Sequence, residues 1–144
     1  MPLELVVFVG LQGAGKSTYY RDHFRETHVL VSKDLWPNSR NKERRQTEEI
    51  EAALSAGRSV VVDNTNPTAE VRARLIAQGK ARGARLIAYG FDTPFEVATA
   101  RNAAREGRAR VPDVALGAVA RVLALPTLGE GFDEVHIIGP GSRL

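Results

Sequence analysis

A chain of 144 residues with 43% apolar and 26% charged positions has the size and composition to fold around one hydrophobic core, with no bias toward disorder. The lack of cysteine excludes disulfides, thiolate metal ligands and a cysteine nucleophile; with no apolar run long enough to span a bilayer, a cytoplasmic setting is expected. Twenty Lys and Arg against 17 Asp and Glu leave a formal charge of +3, an excess that permits a nucleic-acid partner without requiring one.

Residues 5–9 form a short continuous apolar run, as a strand buried on both faces requires, and lead straight into a glycine-rich turn. A helix over 16–25 starts inside that turn, and 29–31 is a second strand ending at Ser32-Lys33-Asp34. Residues 41–56 are predicted helical with Gly57 as the stop, and 59–62 is a third buried strand ending in Asp63-Asn64. Asn66 as N-cap and Pro67 as first helical residue open a helix to Lys80, with Val71, Leu75 and Ile76 on its apolar face. A fourth strand covers 86–91, and Thr93-Pro94-Phe95-Glu96 reads as a capping box for a helix through Ala104. Pro112-Asp113 restarts a helix to about Leu125, and 135–138 is the last strand. Short strands alternating with helices specify an α/β fold: one domain over 1–144, a parallel sheet with helices on both faces, and ligands at the carboxyl ends of the strands.

Gly10-Leu11-Gln12-Gly13-Ala14-Gly15-Lys16-Ser17-Thr18 has the spacing Gly, four residues, Gly-Lys-Ser, between an apolar strand and a helix. Such glycines let backbone N–H groups turn toward phosphate oxygens, Lys16 would neutralise the β and γ oxygens of a nucleoside triphosphate, and Ser17 would ligate Mg²⁺. Asp34, just beyond a strand end, serves by position equally as a base aligning an acceptor hydroxyl or as the cap of the next turn. Asp63 and Asn64 are placed to orient a Mg²⁺-bound water or a substrate hydroxyl, or simply to close their turn.

Arg101, Arg105, Arg108 and Arg110 cluster around Gly107 and read as a lid, whose arginine over a γ-phosphate can supply a factor of roughly 10³ to 10⁵ in rate. Arg40-Asn41-Lys42-Glu43-Arg44-Arg45 beside Trp36 offers phosphate contacts and a stacking surface for nucleic acid, or else a solvated helix face next to a core tryptophan. His23, His28 and His136 have no ligand or triad spacing.

On these residues the chain resembles the 5′-polynucleotide kinases, the kinase module of phage and animal nucleic-acid end-repair enzymes. Val61-Val62-Asp63-Asn64-Thr65-Asn66-Pro67 is similar to that family's strand-end motif, and Arg101-Asn102-Ala103-Ala104-Arg105 with Val111-Pro112 to its lid. Pro126-Thr127-Leu128-Gly129-Glu130-Gly131-Phe132 is similar to the segment closing the animal kinase domains. The resemblance implies a P-loop kinase fold with sheet order 2-3-1-4-5, and ATP and Mg²⁺ on Lys16 and Ser17. It further implies Asp34 as the base toward a 5′-hydroxyl of DNA or RNA and Arg105 as the lid arginine.

One departure falls at Pro37, where the phage-type enzymes carry an arginine for the acceptor phosphate; Arg40 or Arg44 would have to substitute. Two other readings stay open. A small-molecule P-loop kinase for a nucleoside, sugar or antibiotic shares this architecture, and a nucleotide-dependent switch would need the P-loop but neither Asp34 nor a lid arginine.

Overall fold

The computed structural model describes residues 2–105 and 110–139. Its sheet runs β2-β3-β1-β4-β5 with every pairing parallel. The strands are β1 Glu4–Val9, β2 Val29–Val31, β3 Val60–Asp63, β4 Arg85–Phe91 and β5 Glu134–Ile138. Val6 is in register with Val61 on one side and Ile87 on the other, so β1 is the central strand. The unbroken apolar runs of β1 and β3 are explained by cover on both faces. Helices α2 (Lys42–Ser55) and α3 (Ala69–Ala81) bring Ile50, Leu54, Leu75 and Ile76 against Leu5, Val7 and Val9. On the other face α1 (Lys16–His23) packs Tyr19 and Tyr20 over Val6, Phe8, Val61 and Ile87. Helices α4 (Phe95–Ala103) and α5 (Asp113–Val122) meet Leu11 through Ala98 and Leu116, at the carboxyl end of the sheet.

Three helix boundaries differ from the sequence-based expectation, each because a distant group claims the residue. Asn66 is not a cap: Thr68 is, its hydroxyl accepting from the Val71 N–H at 3.2 Å. Asn66 instead takes a left-handed φ of 42°, which asparagine tolerates, and donates its side-chain amide to the Phe8 carbonyl at 2.8 Å. That carbonyl lies near the end of β1, where a buried acceptor needs a donor. Thr93 forms no capping box either; its hydroxyl donates to the Ala14 carbonyl at 3.2 Å, and Pro94 occupies the cap position. Helix α5 stops at Val122, because Leu123 is extended and the Ala124 N–H reaches the Pro67 carbonyl at 2.8 Å.

A buried arginine ties these segments together. Arg72 on α3 is 1% exposed and meets Glu130 with two parallel bonds of 2.7 and 3.0 Å, while Nη1 donates to the Asn66 and Ala124 carbonyls, both at 2.9 Å. Burial pushes the Glu130 carboxyl up, but the bonds from Arg72 and Thr127 outweigh it and hold the group below its ordinary range. Removing one partner of such a pair strands the other, so Arg72→Ala should cost about 3–5 kcal/mol of unfolding free energy in urea. The double replacement Arg72→Met with Glu130→Leu should cost clearly less; an equal loss would mean that packing volume, not the stranded charge, sets the penalty.

Candidate functional site

The loop after β1 is shaped by glycine where nothing else fits. Gly13 has φ +85° and a Cβ there would stand 2.5 Å from the Ala98 carbonyl oxygen of α4; Gly15, with φ +94°, forms the N-cap of α1. The loop is held from outside at several points. The Gly10 N–H bonds to the Thr65 carbonyl at 3.1 Å, Arg101 Nη1 to the Gly13 carbonyl at 3.1 Å, and Thr93 to Ala14 as above. Inside this frame Lys16 Nζ donates to the Gly10 and Leu11 carbonyls, each at 2.8 Å. Burial lowers its pKa to about 8; the Arg105 guanidinium adds to the lowering, while the Asp63 and Asp34 carboxylates oppose it.

Ser17 donates its hydroxyl to Asp63 Oδ2 at 3.1 Å. Burial raises the Asp63 carboxyl against the pull of Lys16 and of this bond. A hydroxyl and a carboxylate side by side are the hard oxygen donors that suit Mg²⁺. Among the described residues no group of three or more Asp, Glu or His stands ready to hold a metal alone. The pair therefore fits an ion that takes its remaining ligands from phosphate and water, as Mg²⁺ does.

Asp34 sits in a 3-10 turn, Lys33–Leu35, which Ser32 caps by accepting from the Asp34 N–H at 3.3 Å. The cap is thus Ser32, and Asp34 is exposed on the cleft. Asn64 anchors the same turn: its Oδ1 accepts from the Lys33 N–H at 3.0 Å and its Nδ2 donates to Gln46 Oε1 at 2.7 Å. With both ends of its amide engaged within the protein, Asn64, which also borders the cleft, holds the Asp34 turn in place.

Gln12, Lys16, Ser17, Asp34, Asp63 and Arg105 border one cleft of about 290 Å³. A larger hollow of about 810 Å³ shares Gln12, Ser17, Asp34 and Arg105 and adds Pro37, Asn38 and Lys42. On the far side of the loop Gly13, Ala14, Gly15 and Thr18 border a third hollow, of about 360 Å³, with Tyr19 and Arg101. Arg105 is common to all three.

The basic run of 40–45 is divided by the start of α2. Asn41 caps that helix by accepting from the Arg44 N–H at 3.0 Å, and Arg44 then pairs along the solvent face with Glu48 at 2.9 Å. Arg40 is exposed, and neither it nor Arg44 borders these hollows; besides Lys16, Arg101 and Arg105, the cations that do are Lys33 and Lys42. Trp36 packs against the α2 core with the Arg45 guanidinium 5.1 Å above its ring, so its face is already covered. In the arginine cluster Arg101 is tied to Gly13, Arg110 is exposed away from the hollows, and Gly107 and Arg108 lie outside the described residues. Sequence reasoning gave Gln46 no role, read Thr93 only as a helix cap and named Lys42 only as a member of the basic run. A polar side chain on the core side of a helix, as Gln46 is, was the one available signal.

The profile of the AAA domain family matches residues 5–126. The chain is 29% identical over 137 residues to the bifunctional polynucleotide phosphatase/kinase of Schizosaccharomyces pombe, covering 92% of this chain and 33% of that protein. It spans about a third of the length of the curated relatives it matches. Solved structures with this fold include a fungal RNA kinase, at a TM-score of 0.72, 14% identity and coverage of 96% of this chain and 38% of the other. A sugar kinase of Janibacter sp. HTCC2649 has a TM-score of 0.67 at 20% identity, covering 95% of this chain and 85% of its own. Identities this low speak to the fold alone. Among the described residues no helix is long and apolar enough to cross a membrane.

The depressed lysine gives a signature in solution. Lys16 keeps its proton in the free protein below a pH of about 8 and loses it above, whereas a bound polyphosphate favours the charged form. Affinity for ATP should therefore weaken roughly tenfold as pH rises from about 7 to about 9. In Lys16→Arg, whose guanidinium stays charged, that decline should disappear. The same slope of Kd against pH in both proteins would remove Lys16 as its origin.

Proposed function

The chain belongs to the AAA domain family, and we propose that within it residues 1–144 form one ATP- and Mg²⁺-dependent kinase domain whose acceptor is the 5′-hydroxyl end of DNA or RNA. The observation that carries this reading is the position of Asp34: it borders both the cleft of Lys16, Ser17 and Asp63 and the larger hollow beyond it. A nucleotide switch has no use for a carboxylate at that junction, whereas phosphoryl transfer needs one where the acceptor oxygen meets the γ-phosphate.

In this reading the loop from Gly10 to Thr18 holds the ATP phosphates, with Lys16 as the counter-charge, and Ser17 and Asp63 hold Mg²⁺. The metal supplies neutralisation of charge on the phosphate oxygens. Asp34 aligns the acceptor hydroxyl and takes its proton as the new O–P bond forms and the bond between the γ-phosphorus and the leaving ADP oxygen breaks. Arg105 offsets the charge spread over the transferring group. The larger hollow, with Lys42 and Asn38 on its wall, gives room for an acceptor longer than a monomer and a cation for its phosphates. Likeness to the polynucleotide kinases supports that acceptor class over a sugar or nucleoside.

The test is transfer of labelled γ-phosphate from ATP to 5′-hydroxyl DNA and RNA oligonucleotides, beside nucleosides and sugars. Label should appear on oligonucleotide 5′ ends; label on small acceptors alone would replace this reading with that of a small-molecule kinase. Asp34→Asn should lower kcat by about 10² to 10⁴ while leaving ATP affinity within roughly twofold. An unchanged kcat would take the proton-accepting role from Asp34.

A further inference from the structure

Asn102 on α4 is completely buried, and it lines none of the hollows at the phosphate loop. Both halves of its amide are given to one residue nine positions on: Nδ2 donates to the Val111 carbonyl at 2.5 Å and Oδ1 accepts from the Val111 N–H at 2.8 Å. This reproduces with a side chain the two-bond exchange of a β-ladder pair. The choice of residue is narrow. Aspartate has no donor, serine and threonine have a single hydroxyl, and leucine would leave two partly buried backbone groups without these partners. From the same residue the main-chain carbonyl accepts the Arg105 N–H at 3.1 Å. Both Arg105 and Val111 border the larger hollow, and both are thus fixed to Asn102.

The frame in which Asn102 sits is the phosphate loop itself. One position earlier Arg101 is bonded to the Gly13 carbonyl, and one turn earlier Ala98 packs with Leu11 and Leu116. We propose that Asn102 is a positioning residue for Arg105: by joining Val111 to α4 it sets where the Arg105 guanidinium stands relative to the phosphates. The consequence is electrostatic, since Arg105 is near enough to depress the Lys16 ammonium and to stabilise the Asp63 carboxylate. Untying Val111 would give the chain after Arg105 many more conformations, few of them with the guanidinium at the cleft. The inference rests on the reading of the cleft as the site of nucleotide phosphates, and its test is read in ATP affinity so that it does not depend on the acceptor.

Four full-length proteins decide it: wild type, Asn102→Ala, Arg105→Ala and the double variant. A residue acting through Arg105 should weaken ATP binding several-fold in the wild-type background and by less than about twofold once Arg105 is gone. A purely structural residue gives the same factor in both backgrounds, and that result, or no loss in either, overturns the proposal. Hydrogen exchange at the Val111 amide should be protected in wild type and in Arg105→Ala and fast in Asn102→Ala; protection that survives loss of Asn102 overturns it as well. Should Asn102→Ala fail to fold, Asn102→Ser, which stays neutral and keeps a single hydroxyl, is read in the same cycle. Failure of wild type to label any oligonucleotide would sink the polynucleotide kinase reading and leave this cycle untouched.

Discussion

The ammonium of Lys16 is taken out of water by the loop that precedes it, and two carbonyl oxygens of that loop, from Gly10 and Leu11, receive its protons at 2.8 Å. A buried cation is tolerated only when its donors are met and its charge is offset. Here two of the three donors are met by dipoles, and the carboxylates of Asp63 and Asp34 leave the offset incomplete, since burial still brings the pKa down to about 8. An anion in the cleft completes the set. The site is thus held in a shape whose missing element is a polyphosphate, and most of the surrounding structure keeps those two carbonyls where they are.

That duty explains otherwise odd local choices. Strand β1, buried along its length by α1 on one face and by α2 and α3 on the other, delivers Gly10 to a fixed point. Asn66 gives up helix capping to satisfy the Phe8 carbonyl, and Thr93 gives up its capping box to hold Ala14. Arg72 then locks the Asn66 turn to Ala124 beyond α5, so the segments that wall the cleft and the helices that bring Arg105 to it share one anchor. Energies of about 1 kcal/mol per hydrogen bond would not by themselves dictate these arrangements. The cost of leaving a buried backbone group unpaired, two or three times larger, does.

Much of this was legible in the residues. Valine-rich runs bounded by Asp, Asn and Gly gave the strands, and the contiguous phosphate loop could be read because its spacing is local. The sheet order came through likeness to the polynucleotide kinases, for no periodicity states which strands are neighbours. Helix starts were misread at Asn66 and Thr93 for a physical reason: a residue fit to cap is equally fit to donate to a distant carbonyl, and the sequence shows only the nearer use. Arg40 and Arg44 were singled out by charge, yet Asn41 as cap turns Arg44 along the solvent face, and the cations that join Lys16 and Arg105 at the cleft and the hollow beyond it are Lys33 and Lys42. The bracing roles of Asn64, Gln46 and Asn102 could not be read from the residues, because each acts on a partner nine or more positions away.

Most of the residues that hold the site in place share one property. Asn64, Gln46, Asn66, Thr93 and Asn102 are all neutral, although charged side chains make stronger hydrogen bonds. A formal charge in any of these positions would act on Lys16 and Asp63 through a medium of low polarity, where a few ångströms correspond to shifts of whole pKa units. The arrangement therefore separates two functions. The charges of Lys16, Asp63 and Arg105 face the space for the reacting phosphates or their metal, while amides and hydroxyls fix most of the geometry without adding to the field. Two arginines are exceptions: Arg101 bonds to the Gly13 carbonyl and brings its charge to the phosphate loop, whereas Arg72, buried as one half of a bidentate pair with Glu130, brings no net charge to the site it steadies.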